Sequence, residues 1–282
     1  ELAHREHGKL PWNQLFQPAI KLAERGFSIS RRLANLLRSE KILRQTPSAR
    51  SYFYTADGKD KPVGSKIKNP ALAKTLRLIA SGGADSFYNG PIATGIIDTV
   101  GNRKKNPSGM TLADIASYEA IKRPPICTPY RQWKVCGMGP PSSGGIAIAQ
   151  ILGILEHFDL SAINPESLEA VHLVGEASAL AFADRNAYLA DSDFIPVPID
   201  NMLDGIYLKS RAKSISSSRA GPKRKPGNVN KSSAFNYAPD ATNKGMSTSH
   251  ISTVDADGNS VSMTTSIETV FGSRLMTGGF IL

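Results

Sequence analysis

The first part of the chain alternates short apolar runs with residues that begin and end helices. In "LPWNQLFQPAIKLAERGF" the apolar residues Leu15, Ala19, Leu22 and Ala23 recur at helical spacing, and Gly26 follows them as a stop signal. This pattern predicts an amphipathic helix whose apolar stripe faces a core.

Capping residues mark further helices along the chain. Ser30 precedes "RRLANLLRSEKIL", and Asn69 precedes Pro70, a residue suited to the first helical position, with Gly82 after the end of that run. These signals predict one helix after Ser30 and a second between Asn69 and Gly82.

Two more helix starts follow. Thr111 and Asp114 have the spacing of a capping box at the start of "TLADIASYEA". Asn164, followed by Pro165, stands at the start of the long run "NPESLEAVHLVGEASALAFADRNAYLAD" and is predicted to cap it.

The stretch at residues 125–138 has the β-branched and aromatic content of a hairpin rather than of a helix. With Arg131 and Gln132 as its turn, Cys127 faces Cys136 at a non-hydrogen-bonded pair, where Cα atoms approach to about 4.5 Å. This distance permits a disulfide. Two buried free thiols are the alternative, and a reducing compartment would enforce it.

A change in composition divides the last part of the chain. Residues 214–247 are rich in Ser, Lys, Pro, Gly and Asn, which predicts an exposed, mobile segment. Two strand-like runs, "TSHISTVD" and "NSVSMTTSIE", then flank an Asp-Gly pair, a hairpin signal.

The register of this second hairpin has two solutions. With Asp257 and Gly258 as a two-residue loop, Ser249 lies opposite Ser266, whereas one bulge residue places Thr248 opposite Ser266. Strand alternation would then place Ser266 and Glu268 on one face.

Composition and charge exclude some classes of protein. The chain has 282 residues, 40% hydrophobic and 21% charged, as globular proteins do, and its longest apolar run, "GGIAIAQILGILE", is too short to span a bilayer. The net charge of +10 is scattered and carries no nucleic-acid motif, which favours a solvated basic surface.

The start, "ELAHREHG", lacks Met and an apolar signal region, so we expect a mature product or a piece of a longer chain.

The hydroxyl residues of the last hairpin suggest a chemistry. A hydroxyl is a weak nucleophile unless a base takes its proton, and a threonine that begins a chain can use its own α-amine. Thr248 stands where the polar segment meets the strand, although a threonine at a strand start is also common. His250 would be the base in a serine-hydrolase interpretation; we favour a packed or hydrogen-bonded histidine.

The stretch "TSHISTVDADGNSVSMTTSIETVFG" resembles the signature of the γ-glutamyltranspeptidases, a family of N-terminal-nucleophile hydrolases. Upstream, "MTLADIASYEA", "PPICTPYRQWKVCGMGPPSSGG", "QILGILE" and "FADRNAYLADSDF" resemble the family's large subunit in the same order. A long ordered match is more specific than a single short motif. The signature positions are Thr248, Ser249, His250, Ser252, Gly258, Asn259, Val261, Ser262, Thr264, Ile267, Glu268, Phe271 and Gly272.

The chain departs from the family pattern at several positions. Thr253 replaces an aliphatic residue, Ser266 replaces the second threonine of a pair, and Glu268 is the acidic choice at an Asn-or-Glu position. The family continues beyond Leu282 with substrate-contacting segments, and an arginine for the substrate's α-carboxylate precedes the matched region. We therefore expect little or no transferase activity from these 282 residues alone.

The resemblance implies roles for individual residues. Thr248 would be both the autoprocessing residue and the catalytic nucleophile, attacking the carbonyl of Ser247 so that the chain is cut between them. The freed amine of Thr248 would then be the general base. Ser266 would orient that amine, and Glu268 would bind the α-ammonium of the γ-glutamyl group.

The resemblance also implies the α/β fold of these hydrolases, a four-layer αββα sandwich that is incomplete in this chain. Residues 1–247 would be the large-subunit portion, with helical layers, the hairpin at 125–138 and a mobile processing segment at 214–247. Residues 248–282 would begin the small subunit with the nucleophile strand and the strand after it. The implied location is periplasmic or secreted, where the Cys127–Cys136 bridge would be allowed.

The function that the resemblance implies is a self-cleaving γ-glutamyltransferase or hydrolase, with glutathione-like donors and with water, amino acids or peptides as acceptors. Alternatives are a cephalosporin-acylase-like amidase, a poly-γ-glutamate-processing enzyme of the same fold, and a non-catalytic basic binding protein. No cofactor and no metal is expected. The expected partners are small γ-glutamyl substrates and the two subunits of one precursor, with oligomer formation left open; neither a nucleic acid nor a membrane span is expected.

Overall fold

The structure is a computed structural model that describes residues 1–103, 105–229 and 248–282. It divides into two compact units, Glu1–Ala120 with Asn243–Leu282, and Ile121–Thr242. This division reflects packing, whereas the predicted boundary between residues 247 and 248 is a processing site and stays a prediction. Over the described residues, every helix is too short or too polar to cross a membrane.

The first unit opens with short helices and one small sheet. Gly26 separates the first three helices from a two-residue strand, as its position after the apolar run predicted. The elements in chain order are α1 (Leu2–His7), α2 (Trp12–Leu15), α3 (Gln17–Arg25), β1 (Phe27–Ser28), α4 (Arg31–Ser39), a 3₁₀ helix (Leu43–Gln45), α5 (Pro47–Phe53), β2 (Lys66–Ile67), α6 (Pro70–Gly82), α7 (Asp85–Tyr88), α8 (Pro91–Gly101) and α9 (Leu112–Ala116).

The predicted N-caps of this unit are confirmed. The side chains of Ser30 and Asn69 accept hydrogen bonds from backbone N–H groups in the first turns of α4 and α6. Thr111 and Asp114 form a complete capping box, in which each side chain accepts a bond from the other's backbone. Capping is local in sequence, and for this reason it could be predicted from short windows.

Two details of the helical prediction are wrong. Gly82 is the last residue of α6, and Gly83, with φ of +67°, ends the helix because glycine adopts this conformation without strain. In α3 the buried residues are Ile20 and Ala23, whereas three residues of the predicted stripe are exposed: Leu15, which lies in α2, Ala19 and Leu22.

The core of the first unit joins residues that are far apart in the sequence. Phe53 and Phe271 pack edge to face with ring centroids 6.1 Å apart. Phe271 and Met276 thus bring the last part of the chain into a cluster built by α4, α5 and the 3₁₀ helix between them. The buried members are Leu37, Leu43, Ala49, Phe53, Tyr54, Phe271 and Met276.

The second unit consists of a β-hairpin and a group of helices. Its largest buried cluster lies between the two longest helices and the last one. The elements are β3 (Ile126–Tyr130), β4 (Trp133–Gly137), α10 (Gly144–Leu155), a 3₁₀ helix (Leu160–Ala162), α11 (Leu168–Tyr188), α12 (Ile199–Met202) and α13 (Gly205–Ala212).

The register of the β3–β4 hairpin agrees with the prediction. Tyr130 pairs with Trp133 and Cys127 with Cys136. The two cysteine sulfurs are bonded in the structure, with the Cα atoms 4.0 Å apart.

Helix α11 begins later than predicted. Ser167, not Asn164, is its N-cap, and the Ser167 hydroxyl accepts a bond from the N–H of Ala170 at 3.2 Å. Asn164 instead closes a turn by accepting from the N–H of Glu166 at 3.0 Å. Two residues with capping chemistry compete here, and the nearer one caps the helix.

Part of the segment that was expected to be exposed and mobile is held by α11. Glu176 accepts bonds from the Gly221 N–H and from Arg224, and the buried Asp184 accepts from the Gly227 N–H at 2.8 Å. Residues 221–229 are thus anchored by two carboxylates of one helix. Residues 230–247 of the predicted segment lie outside the described residues.

The last part of the chain consists of two hairpins that belong to the first unit. The described residues form two-stranded antiparallel sheets, and the four-layer sandwich is not visible in them. The four strands are β5 (Thr248–Val254), β6 (Ser260–Ser266), β7 (Met276–Thr277) and β8 (Phe280–Ile281).

Candidate functional site

The loop between β5 and β6 decides which residue faces Thr248. The Asp255 N–H donates to the Asn259 carbonyl, the Gly258 N–H donates to the Asp255 carbonyl, and Gly258 has φ of +82°. This is a three-residue loop with a glycine bulge, which shifts the register by one residue relative to a two-residue loop. Of the two predicted registers, the bulged one is therefore correct, and Thr248 pairs with Ser266.

The carboxylate of Asp255 holds this loop together. It accepts bonds from the N–H groups of Asp257 and Asn259 and from the Asn259 side-chain amide. The Asn259 side chain, followed by these backbone donors, lowers the pKa of Asp255 below its usual range because the bonds favour the ionised form. An ionised Asp255 thus fixes the loop that sets the register of Thr248.

Thr248 and Ser266 are in direct contact through their side chains. The hydroxyl of Thr248 donates to Oγ of Ser266 at 3.2 Å, and Ser266 Oγ also accepts from the backbone N–H of Glu268 at 3.1 Å. The three predicted site residues are thus connected through one oxygen atom. Ser247, the other side of the predicted cleavage site, lies outside the described residues.

Glu268 does not continue the strand. Strand β6 ends at Ser266, and Glu268 takes φ of +69°, a conformation outside the strand region. The expected shared strand face of Ser266 and Glu268 is therefore wrong. A turn, rather than strand alternation, sets the direction of the Glu268 side chain.

One face of the hairpin carries six of the nine hydroxyl groups of β5 and β6, and His250 lies among them. His250 Nδ1 shares a hydrogen bond with Thr264 at 2.8 Å, and Nε2 shares bonds with Ser252 and Ser262 at 3.1 Å each. Both ring nitrogens are thus engaged by these hydroxyls, which supports the interpretation of His250 as a hydrogen-bonded structural residue. Period-two alternation places these residues on one face, but their contacts across the hairpin depend on a register that had two solutions in the sequence.

The opposite face of the same hairpin is exposed and carries three large apolar side chains beside Ser249, Thr253 and Thr265. Ile251, Val261 and Met263 expose 50%, 59% and 48% of their surface. The hairpin therefore has one face rich in hydroxyl groups and one mixed face on which three apolar side chains are available for packing.

The turn after β6 is held by Arg274 and Glu40, which no sequence pattern indicated. Arg274 donates to groups of this turn and forms an ion pair with Glu40, a residue 234 positions away in the chain. No periodic pattern connects positions so far apart.

A threonine at the start of a strand, in contact with a second hydroxyl and placed directly after the predicted cleavage site, is the arrangement expected of an N-terminal-nucleophile hydrolase. The family model of gamma-glutamyltranspeptidase matches residues 1–282. The chain belongs to this family.

Individual relatives agree with this assignment. The chain is 37% identical to the glutathione hydrolase proenzyme of Escherichia coli (strain K12) over 281 residues, covering 98% of this chain and 46% of that protein. It is 32% identical to the acylase ACY 1 proenzyme of Pseudomonas sp. (strain V22), over 96% of this chain and 46% of that protein. The crystal structure of Helicobacter pylori gamma-glutamyltranspeptidase superposes with a TM-score of 0.75 at 34% identity, covering 83% of this chain and 67% of that one. The chain spans about half the length of the curated relatives it matches.

Proposed function

We propose that these residues belong to a γ-glutamyltransferase or glutathione hydrolase precursor that cuts itself before Thr248. The observation that carries the proposal is the 3.2 Å contact between the Thr248 and Ser266 hydroxyls at the start of β5. Because Thr248 donates in this contact, Ser266 orients the hydroxyl that must attack, and from the same position it would orient the freed amine of Thr248 after the cut.

In the maturation step, Thr248 Oγ attacks the carbonyl carbon of Ser247 and loses its proton. The C–N bond between the two residues breaks, the nitrogen takes up a proton, and the acyl group is left on the threonine oxygen as an ester. Water then hydrolyses the ester, which gives a carboxyl group on Ser247 and a free α-amine on Thr248.

In the transfer step, the free amine of Thr248 takes the proton of the neighbouring hydroxyl. The oxygen attacks the γ-carbonyl of the donor, the leaving amine receives the proton, and a γ-glutamyl ester forms on Thr248. Water or the amine of an amino acid then releases the acyl group. Glu268 binds the α-ammonium of the donor through its negative charge.

The proposed fold of the complete protein is the four-layer αββα sandwich. The exposed Ile251, Val261 and Met263 on one face of the β5–β6 hairpin support it, since a two-stranded hairpin alone is only marginally stable and needs further strands or a packed layer. Chain that lies outside these 282 residues supplies that layer, in agreement with the 46% coverage of the Escherichia coli relative.

The proposed partners and location follow from the same assignment. The two products of the cut are the large and small subunits of one enzyme, which acts on small γ-glutamyl compounds in a periplasmic or secreted compartment. The geometry at Cys127 and Cys136 is compatible with this location, because Cα atoms 4.0 Å apart permit a disulfide and an oxidising compartment would allow it.

An amidase of the acylase type is the second candidate, and the 32% identity to the acylase ACY 1 proenzyme favours it. The two candidates differ in their use of Glu268. A carboxylate at this position attracts the α-ammonium of a γ-glutamyl donor and offers nothing to a glutaryl group, which lacks that ammonium.

A chromogenic assay tests the proposal. A longer polypeptide that adds the family's remaining segments is given γ-glutamyl 4-nitroanilide and, in parallel, glutaryl 4-nitroanilide. We expect the γ-glutamyl donor to be cleaved faster. Preference for the glutaryl donor would support the acylase-type amidase, and no release from either donor would support a non-catalytic binding protein.

A further inference from the structure

The turn that follows β6 contains three residues with left-handed backbone conformations. Glu268 has φ of +69°, Gly272 of +46° and Arg274 of +63°. Glycine adopts such φ values without strain. In other residues they cost about 1 kcal/mol or more and persist only where surrounding contacts impose them. The backbone of Glu268 is therefore held in place by contacts of the turn.

Arg274 supplies contacts that close this turn from within. Its Nη1 donates to the carbonyl of Gly272 at 2.9 Å and to the hydroxyl of Thr269 at 3.3 Å. The Thr269 hydroxyl in turn donates to the same Gly272 carbonyl at 2.9 Å. The guanidinium thus connects Thr269, the residue next to Glu268, to Gly272 at the other end of the turn.

Arg274 is itself fixed from outside the turn. Its Nε lies 3.4 Å from Glu40 Oε2, in a pair whose side chains expose 31% and 13% of their surface. The other oxygen of Glu40 accepts from the N–H groups of Ile42 and Leu43, which begin the 3₁₀ helix after α4. This carboxylate therefore connects the turn to the core of the first unit.

Two further contacts hold the same segment. Phe271 is buried in the core cluster, and the Thr46 hydroxyl donates to the Arg274 carbonyl at 3.1 Å. These two contacts fix the main chain at residues 271 and 274 without the Arg274 guanidinium. We therefore expect that loss of the Arg274 side chain loosens the turn and leaves the fold intact.

We propose that Arg274, anchored by Glu40, is the positioning residue that fixes the turn bearing Glu268, and that it thereby sets the affinity of the site for donors with an α-ammonium group. This inference rests on the proposed function and deepens it. Arg274 acts through the turn and not on the reacting atoms, so it affects donor binding more than the chemical step.

Kinetics of the longer polypeptide test this role. Arg274→Gly removes the guanidinium but suits the left-handed backbone, and Arg274→Lys keeps a charge near Glu40 without the planar fork. We expect KM for γ-glutamyl 4-nitroanilide to rise about tenfold in the glycine variant and less in the lysine variant, with kcat within about twofold of the parent. KM for the glutaryl donor should not change.

A double-mutant cycle with Glu268→Gln distinguishes positioning of Glu268 from general damage. If Arg274 acts through Glu268, then Arg274→Gly has almost no further effect on KM once Glu268 is neutral. Additive effects, or equal losses for both donors, would overturn the inference while leaving the proposed function intact. A parent protein that cleaves neither donor would overturn the proposed function, and this inference with it.

Hydrogen exchange gives a second readout that needs no activity. We expect the amides of residues 268–272 to exchange faster in Arg274→Gly and in Glu40→Gln than in the parent, while amides of α6 are unchanged. Unchanged exchange in the turn would show that Arg274 does not hold it, and would contradict the inference.

Discussion

Thr248 and Ser266 face each other across the β5–β6 hairpin, with 3.2 Å between their hydroxyl oxygens. A single glycine bulge at Gly258 creates this pairing, since a two-residue loop would place Ser249 opposite Ser266 instead. The loop sequence and the candidate chemistry are therefore linked through the register of the hairpin.

Loss of the Ser266 hydroxyl should slow both maturation and donor cleavage. We expect Ser266→Ala to reduce each rate about tenfold, the equivalent of one hydrogen bond of about 1.4 kcal/mol. Ser266→Thr, which restores the family's usual residue, is the matched control and should keep both rates. Gels of samples quenched at successive times measure the rate of maturation, and the anilide assay measures the rate of donor cleavage. An alanine variant as fast as the parent in both would show that Ser266 has no role in either step.

Asn69 should stabilise the first unit through two separate contacts. Its side chain caps α6 at Leu72 and donates to the Gly279 carbonyl at 2.7 Å, which ties the last hairpin to a helix of the amino-terminal part. We expect Asn69→Ser, which keeps a capping oxygen, to cost about 1 kcal/mol, and Asn69→Ala about 2 kcal/mol. Urea unfolding of the 282-residue chain measures both, and a serine variant equal to the parent would show that the Gly279 contact contributes nothing.

Glu176 should make stability depend on pH. The bond from Arg224, followed by the Gly221 N–H, lowers the pKa of Glu176 from its ordinary value of 4.5, so the folded state favours the ionised carboxylate. The contribution of this carboxylate to the free energy of unfolding is complete above the ordinary pKa of 4.5. It is lost as the pH falls through the lower pKa of Glu176 in the folded state. We expect Glu176→Gln to be less stable than the parent by about 2 kcal/mol at neutral pH.

Calorimetry at neutral and acidic pH checks this expectation. The gap in Tm between the parent and Glu176→Gln should shrink on acidification, because protonated glutamate and glutamine carry the same charge. Glu166→Gln, the same substitution at an exposed glutamate, controls for the general effect of removing a charge. A gap that stays constant with pH would contradict the assigned role of the Glu176–Arg224 pair.

Cys127 and Cys136 should form a disulfide in the protein as isolated from an oxidising compartment. The bridge closes a loop with a sequence separation of 9 residues. Closing a loop of this size should stabilise the fold by about 2–3 kcal/mol through the unfolded state. Thiol titration of unfolded protein kept from reductant should find no free thiol, and two free thiols would refute the bridge. Cys127→Ser should lower Tm as much as reduction does.

The parts of the structure that could be predicted from the sequence depend on short-range rules. Ser30 and the Thr111–Asp114 box act within one helical turn, and the register of the β3–β4 hairpin follows from its two-residue turn. Where two local signals compete, as at Asn164 and Ser167, the sequence does not rank them.

The remaining features depend on contacts between distant residues. The left-handed conformation of Glu268 belongs to a turn held by Arg274 and Glu40, and strand periodicity alone assigned Glu268 to the wrong element. In the same way, Glu176 anchors a segment 45 or more residues further along the chain, which composition alone predicted to be mobile.

The central claim is that Thr248 cuts the chain at its own amino side, and mass spectrometry of the longer polypeptide tests it most directly. We expect a fragment that begins at Thr248 in the parent and a smaller amount of it in Thr248→Ser. His250→Ala should show reduced but not abolished cleavage, because its ring orders the hydroxyl face rather than taking part in the attack. Thr248→Ala should yield no such fragment, since alanine cannot form the ester. An alanine variant that is cut at the same bond would show that an outside protease is responsible and would contradict the account.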